Sequence, residues 1–252
     1  MKVYFIGAGP GHPDLLTLRA KSLIEQCPVI LYAGSLVPDD VLQFARPETQ
    51  IVNTASLNLE DIIAHFKQAA KAGQDIARLH SGDPSLYSAI AEQINHLKRL
   101  NIDYEIVPGV PAFAAAAAAM GQELTLPELN QTLIITRSAK RASSVPEQQS
   151  LENLATSGAT LAIHLSAKNT DDIETALIPH YGKDCPVIIA AHVSWPEEKC
   201  VRTTLSALTE TIKEQAIERT AIIFVGQALN QEARKQSALY DKAHDRHLKP
   251  KT

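Results

Sequence analysis

Apolar and polar positions follow two alternating periods along the first half of the chain. Lys2–Ile6 is a short apolar run of strand type, and Leu15–Gln26 sets Leu15, Leu18, Leu23 and Ile24 at helical spacing. Val29–Tyr32 reads as a second strand, and Leu59–Ala72 as an amphipathic helix stopped by Gly73. Asp75–His80 is the next strand. Ser85–Leu100 is expected to be a helix, with Leu86, Ala89, Ile90, Ile94 and Leu97 on one face. Tyr104–Val107 is a strand, and an alanine-rich helix follows as far as Met120. Strands alternating with helices predict a mainly parallel sheet covered on both faces.

The pattern changes at Gly121, which breaks the alanine-rich run. Gly121–Gln131, with Pro127 and several polar residues, reads as a connection. Strands follow at Thr132–Thr136, Ala159–Leu165, Val187–His192, Lys199–Thr204 and Ala221–Val225, with a helix at Asp171–His180 and a polar loop at Arg137–Glu147. Val187–His192 and Lys199–Thr204 have no helix between them, which suggests a mixed sheet. The organisation expected is therefore two α/β domains. Residues 1–121 form the first and carry glycine-rich loops, residues 132–229 form the second, and 230–252 is a polar tail, frayed or a loosely attached helix.

Composition narrows the class. Of 252 residues, 24 are Lys or Arg and 28 are Asp or Glu, giving a net charge of −4. A nucleic-acid binder usually carries a basic excess, so no nucleic-acid partner is expected. Cys27, Cys185 and Cys200 are widely spaced without a CxxC pair, so neither a bound metal nor a disulfide framework is suggested. The apolar run Val3–Ile6 is too short for a signal-peptide core. Val110–Met120 is about half a membrane span. A soluble, cytoplasmic chain without a membrane partner is the expectation.

The sharpest local signal is Gly7-Ala8-Gly9-Pro10-Gly11, directly after the first strand. Glycines there let backbone approach a ligand and adopt angles that other residues resist. The string departs from the dinucleotide fingerprint. His12 stands at the third glycine position, Pro10 and Pro13 interrupt the turn, and Val29–Tyr32 runs into Ala33-Gly34-Ser35 rather than an acid. NAD binding is disfavoured. His80-Ser81-Gly82-Asp83-Pro84 and Pro108-Gly109-Val110-Pro111-Ala112 also lie at strand ends. In an open α/β sheet, ligands bind beyond the carboxyl ends of strands, so three such loops imply one shared cleft. Asp83 either serves that cleft or caps the helix after it.

GAGPGHPDLLTLRA, HSGDPSLY and VPGVPAFAAAAAAMGQELT together resemble the tetrapyrrole methyltransferase family. Leu31–Val37 and Ser194–Thr204 are similar to its branch that methylates C11 of precorrin-4 or cobalt-precorrin-4. The resemblance runs from Met1 to about Leu229. It departs at His12, where the family usually has Asp, while Asp14 is retained. The resemblance implies two α/β domains with an active-site trough between them, a homodimer, and S-adenosylmethionine as methyl donor. Carried over by position, the cofactor contacts are Pro10, Ser81, Gly82, Asp83, Leu86, Pro111 and Ala112 in the first domain. In the second they are Leu165, Val193 and either Ala221 or Ala228.

The implied substrate is an anionic tetrapyrrole rimmed with carboxylates. Arg137, Lys140 and Arg141 form a local basic run, to which Lys168, Lys199 and Arg202 could add; the same run also reads as a solvated loop. Trp195, the single tryptophan, either stacks on a flat ring or fills a core gap. The activated sulfonium needs no enzyme nucleophile, and no Ser/His/Asp or Cys/His arrangement is visible. Asp83 and His80, with His164 and His192, are candidates for a base. The competing readings are methylation at another ring carbon, a binding module without turnover, and a nucleotide-dependent oxidoreductase.

Overall fold

The computed structural model of the chain describes residues 1–138 and 144–230. These fall into two units, one of Met1–Ala119 with His192–Lys199, the other of Met120–Ala191 with the chain from Cys200 onward. The inclusion of His192–Lys199 in the first unit has no counterpart in the linear pattern.

In the first unit, strands β1 (Lys2–Gly7), β2 (Val29–Tyr32), β3 (Gln50–Asn53), β4 (Ile76–His80) and β5 (Asp103–Val107) lie in the order β3-β2-β4-β1-β5. Every neighbouring pair is parallel. β2 and β4 are buried along their whole length because helices cover both faces. Helix α1 (Leu18–Gln26) packs with Ile6, Ile30 and Leu79 on one face. Helices α2 (Leu59–Ala72) and α3 (Ile90–Arg99) pack with Val3, Phe5 and Leu31 on the other. Helix α4 (Ala112–Ala119) follows β5.

Arg78 lies in the middle of β4 and is 5% exposed. Its guanidinium donates to Thr54 Oγ1 at 2.9 Å and Gln93 Oε1 at 3.3 Å, and desolvation pushes its pKa down to about 10. No carboxylate among the described residues pairs with it.

The helix boundaries correct the periodicity in two places. α1 starts at Leu18 rather than Leu15. Pro13–Leu15 is a separate 3-10 turn, and Thr17 begins the helix by accepting the Ala20 N–H at 3.1 Å. α3 starts at Ile90 rather than Ser85, because Tyr87 (φ 55°) and Ala89 (φ 49°) take left-handed backbone that no helix continues through. β3 was not expected. It is a four-residue edge strand with only Ile51 and Val52 apolar, too short for a period to show.

In the second unit, β6 (Leu133–Arg137), β7 (Thr160–His164), β8 (Pro186–Ala191), β9 (Lys199–Thr204) and β10 (Ala221–Val225) lie in the order β6-β7-β10-β8-β9. β6 and β7 are parallel, while β10 is antiparallel to both β7 and β8, so the sheet is mixed. Its core gathers Leu161, Ile163, Ile189 and Ile223 with Ile173 and Leu177 of helix α6 (Thr170–Tyr181). Two shorter helices, α5 (Leu151–Ala155) and α7 (Leu208–Glu214), complete it. The Arg202 guanidinium donates to the Leu229 and Met120 carbonyls at 3.1 and 3.4 Å, so it is engaged within this unit. Of the tail expected at 230–252, residues 231–252 lie outside the described residues.

Helix α2 is fixed at its start by a reciprocal capping box. The Asn58 side chain accepts the Asp61 N–H at 2.9 Å, and the Asp61 carboxylate accepts the Asn58 N–H at 3.3 Å. Asn58→Ala is expected to lower stability by about 1 kcal/mol, read as a shift of the urea midpoint. An unchanged midpoint would show that packing alone holds the helix end.

Candidate functional site

The three glycine-bearing loops meet at the carboxyl ends of β1, β4 and β5. Gly9 and Gly82 exchange two hydrogen bonds, Gly82 N–H to Gly9 O at 2.7 Å and Gly9 N–H to Gly82 O at 3.2 Å. Both have left-handed backbone, φ 74° and 65°. The third loop closes on this pair. A Cβ on Gly7 would lie 2.5 Å from Gly109 Cα and 2.7 Å from Gly82 O, and one on Gly109 would collide with the same carbonyl. Gly7 and Gly109 are therefore consumed by backbone packing on backbone, a use that competes with close approach to a ligand.

Asp83 fastens two of these loops. Its Oδ2 accepts the Gly109 N–H at 2.9 Å, and Oδ1 accepts the Ser85 N–H at 2.8 Å and the Ser85 hydroxyl. Partial burial works to raise its pKa, but the Ser85 hydroxyl and the two backbone donors outweigh it and hold the carboxyl below its ordinary range. Asp83 does not cap α3, which begins seven residues later. His80 is 5% exposed, and its Nε2 has no hydrogen-bond partner among the described residues. Desolvation, with the Arg78 charge adding to it, pushes its pKa down to about 3. Burial likewise pushes His164 down to about 4. Neither histidine is charged near neutral pH, and Asp83 is fully ionised.

A segment from the other end of the sequence completes the first unit here. His192 (φ 48°) and Ser194 (φ 64°) bend the chain sharply. The Trp195 indole N–H donates to Pro10 O at 2.8 Å, the His12 N–H to Ser194 Oγ at 2.9 Å, and the Ser194 N–H to Glu198 Oε2 at 2.6 Å. Gly11 has no side chain because Trp195 occupies that space: a Cβ there would strike the indole ring. His192 sits edge-on to the same ring, with centroids 6.0 Å apart. Beside this lock lies a cavity of about 520 Å³, lined by His12, Asp14, Pro38, Asp40, Gln43 and Trp195 among others. Ser194, Glu198 and Asp40 were missed by sequence reasoning, which had no signal that these segments would meet.

The expected cofactor residues Pro10, Ser81, Gly82, Asp83, Leu86, Pro111 and Ala112 belong to the first unit, and so does Val193, which was expected in the second domain but lies in the His192–Lys199 segment that joins the first. The structure brings Gly82, Asp83 and the Pro111–Ala112 turn together, with a Cβ on Gly82 3.5 Å from Ala112 N. Leu165 follows β7, has left-handed backbone (φ 55°) and is 63% exposed. Ala221 lies at the same end of the second sheet, since Ile223 of β10 pairs with Ile163 of β7. Ala228 lies beyond the opposite end of β10 and is fully buried, its carbonyl bonded to Gln122 Nε2 at 2.9 Å. Of the expected substrate contacts, Arg137 ends β6 and is half-buried, Lys199 is exposed, and Lys140 and Arg141 lie outside the described residues.

An all-parallel sheet with interlocked glycine loops at its carboxyl edge, in a chain that also carries a unit with a mixed sheet, defines a class of ligand-binding α/β proteins. Residues 2–209 match the Tetrapyrrole (Corrin/Porphyrin) Methylases, and the chain belongs to that family. It is 54% identical over 248 residues to a precorrin-4 C(11)-methyltransferase of Pseudomonas aeruginosa, covering 98% of each chain. Its fold matches a solved cobalt precorrin-4 methyltransferase with TM-score 0.88 and 41% identity, covering 91% of this chain and 96% of the other. It also matches a uroporphyrin-III C-methyltransferase of Thermus thermophilus complexed with S-adenosylhomocysteine, with TM-score 0.77 and 26% identity, covering 91% and 99%. Among the described residues, no helix is long and apolar enough to cross a membrane, and no cluster of His, Cys, Asp and Glu could hold a metal ion.

Two outcomes follow from this geometry. Gly109→Ala is expected to cost about 3 kcal/mol, because the new methyl meets rigid backbone on two sides. A urea midpoint within experimental scatter of the native chain would refute the close approach. His80 resists protonation when folded more than when free, so its contribution is full above pH 6.5 and is lost as pH falls towards 3. At pH 5 that loss is about 2 kcal/mol. The drop in urea stability between pH 7 and pH 5 is therefore expected to shrink in His80→Gln, and equal drops in both chains would contradict the assignment.

Proposed function

We propose that the chain is an S-adenosylmethionine-dependent C-methyltransferase that methylates C11 of precorrin-4 or cobalt-precorrin-4. The observation that carries this reading is the interlock of the Gly7, Gly82 and Gly109 loops at one sheet edge, on a chain alike over its full length to a C11-methyltransferase. The same kinship supports a cytoplasmic homodimer.

The residues present fit the cofactor. The His80–Pro84 and Pro108–Ala112 loops present main-chain groups and small side chains at the strand ends, where Pro111 O closes the first turn of α4 by accepting the Ala114 and Ala115 N–H groups. We assign cofactor contacts to Pro10, Ser81, Gly82, Asp83, Leu86, Pro111, Ala112 and Val193, and by resemblance to Leu165 and either Ala221 or Ala228, of which Ala221 shares the Leu165 end of its sheet. When bound, the cofactor supplies a methyl group already activated on sulfur. The chain's own task is then positioning, worth up to about 7–11 kcal/mol in well-oriented reactions. Asp83 contributes by fixing the two loops rather than by taking a proton, since three donors stabilise its ionised form. His80, with its pKa near 3, is too weak a base to compete with water-accessible carboxylates. Trp195, held by Pro10 and His192, offers a rigid flat wall to a macrocycle. Arg137 and Lys199, together with Lys140 and Arg141, are assigned to its carboxylate rim.

The test is anaerobic incubation of precorrin-4 and of cobalt-precorrin-4 with methyl-labelled S-adenosylmethionine, followed by mass spectrometry. One labelled methyl at C11 of either ring is the expected result. Label at another ring carbon would keep the reaction class and move the site. No label on either ring, with S-adenosylhomocysteine still bound, would overturn the substrate.

A further inference from the structure

The cavity beside Trp195 has an electrostatic mismatch with an anionic ligand. Asp14 and Asp40 both line it, and no lysine or arginine does. Trp195 adds no donor, because its only N–H is already given to Pro10 O. Among the lining groups that remain, His12 stands out. Its ring Nδ1 accepts the Asp14 N–H at 3.2 Å, capping the short Pro13–Leu15 turn. Its backbone N–H is held by Ser194 Oγ at 2.9 Å. With Nδ1 used as an acceptor, the ring proton sits on Nε2. The side chain is 57% exposed, so this N–H is available to a ligand.

We propose that His12 is a specificity-determining residue of this cavity, whose Nε2–H takes a peripheral carboxylate of the macrocycle between Asp14 and Asp40. The inference rests on the tetrapyrrole reading above and deepens it. Trp195 supplies a rigid wall for the ring. The imidazole then lets one acidic substituent enter a rim that would otherwise repel it. An aspartate at this position would serve equally well as the turn's cap, accepting the Asp14 N–H through its carboxylate. It would also place a third carboxylate in the same rim. The imidazole therefore separates two jobs that a carboxylate combines, capping through Nδ1 and recognition through Nε2.

Two substitutions divide these jobs. His12→Asn keeps an acceptor near the position of Nδ1 and lacks reach to that of Nε2, whereas His12→Gln keeps a donor near Nε2 and gives up the cap. The probe is uroporphyrin, a stable macrocycle with eight carboxylates. Binding is read by quenching of Trp195, the single tryptophan of the chain. His12→Gln is expected to bind within about threefold of the native chain. His12→Asn should bind about tenfold more weakly, and His12→Asp about 30-fold or more, the range of one hydrogen bond to a charged group. Thermal midpoints should rank differently, with Asn and Asp near native and Gln lowest. Equal affinities in all four chains would overturn the role of His12 and leave the tetrapyrrole reading standing. Weak binding only in His12→Gln would show that the cap, not the donor, matters, and overturn it too. No quenching even in the native chain would overturn both the role of His12 and the cavity as a seat for this ligand class.

Discussion

The contact on which the site depends is backbone against backbone, where Gly7, Gly82 and Gly109 meet. Neighbouring strands lie about 4.8 Å apart, so loops leaving three adjacent strands compete for the same volume. Removing the side chains at Gly7 and Gly109 resolves that competition. It allows Gly9 and Gly82 to pair, and it brings the Gly109 amide onto Asp83. The sheet edge thereby becomes a fixed surface rather than three independent loops. Fixed polar surface of this kind is what a transfer reaction needs when the reagent is already activated, since its orientation need not be established at the moment of reaction.

The electrostatics follow from the same compactness. β4 is buried throughout, and it carries Arg78 and His80 on one face into a region with no carboxylate to balance them. The arginine stays charged on two neutral acceptors, and the histidine gives up its charge instead. Asp83, one turn of loop further on, keeps its charge because three donors converge on it. Three ionisable residues within six positions of sequence thus reach three different outcomes, set by which hydrogen bonds each can reach. None of them ends as a strong base, which agrees with catalysis by placement.

Much of this was legible in the sequence, and the limits have physical causes. Strands with continuous apolar runs, such as Val29–Tyr32, are legible because burial on both faces leaves no polar position. β3 was not, since an edge strand of four residues has too few positions for any period. Helix α3 was read too long at its start. Leu86 and Ala89 keep helical spacing with Ile90 and Leu97, but the left-handed backbone at Tyr87 and Ala89 leaves no trace in hydrophobicity. The glycine loops were located correctly. Their association with Trp195 was not legible, because residues 185 positions apart were brought together by a bend at His192 and Ser194 that has no glycine to announce it.

That last case explains why glycine strings are ambiguous as signals. A glycine records only that something comes too close for a Cβ, and the sequence does not say what. Gly7 and Gly109 are filled by each other, and Gly11 by an indole. Gly82 alone leaves ordinary van der Waals room towards the Pro111–Ala112 turn, where a Cβ would meet its nearest atom at 3.5 Å. The four carry the same letter and occur in the same motifs. The space that each would-be methyl meets separates the residue beside which a ligand can lie from those that shape the surface around it.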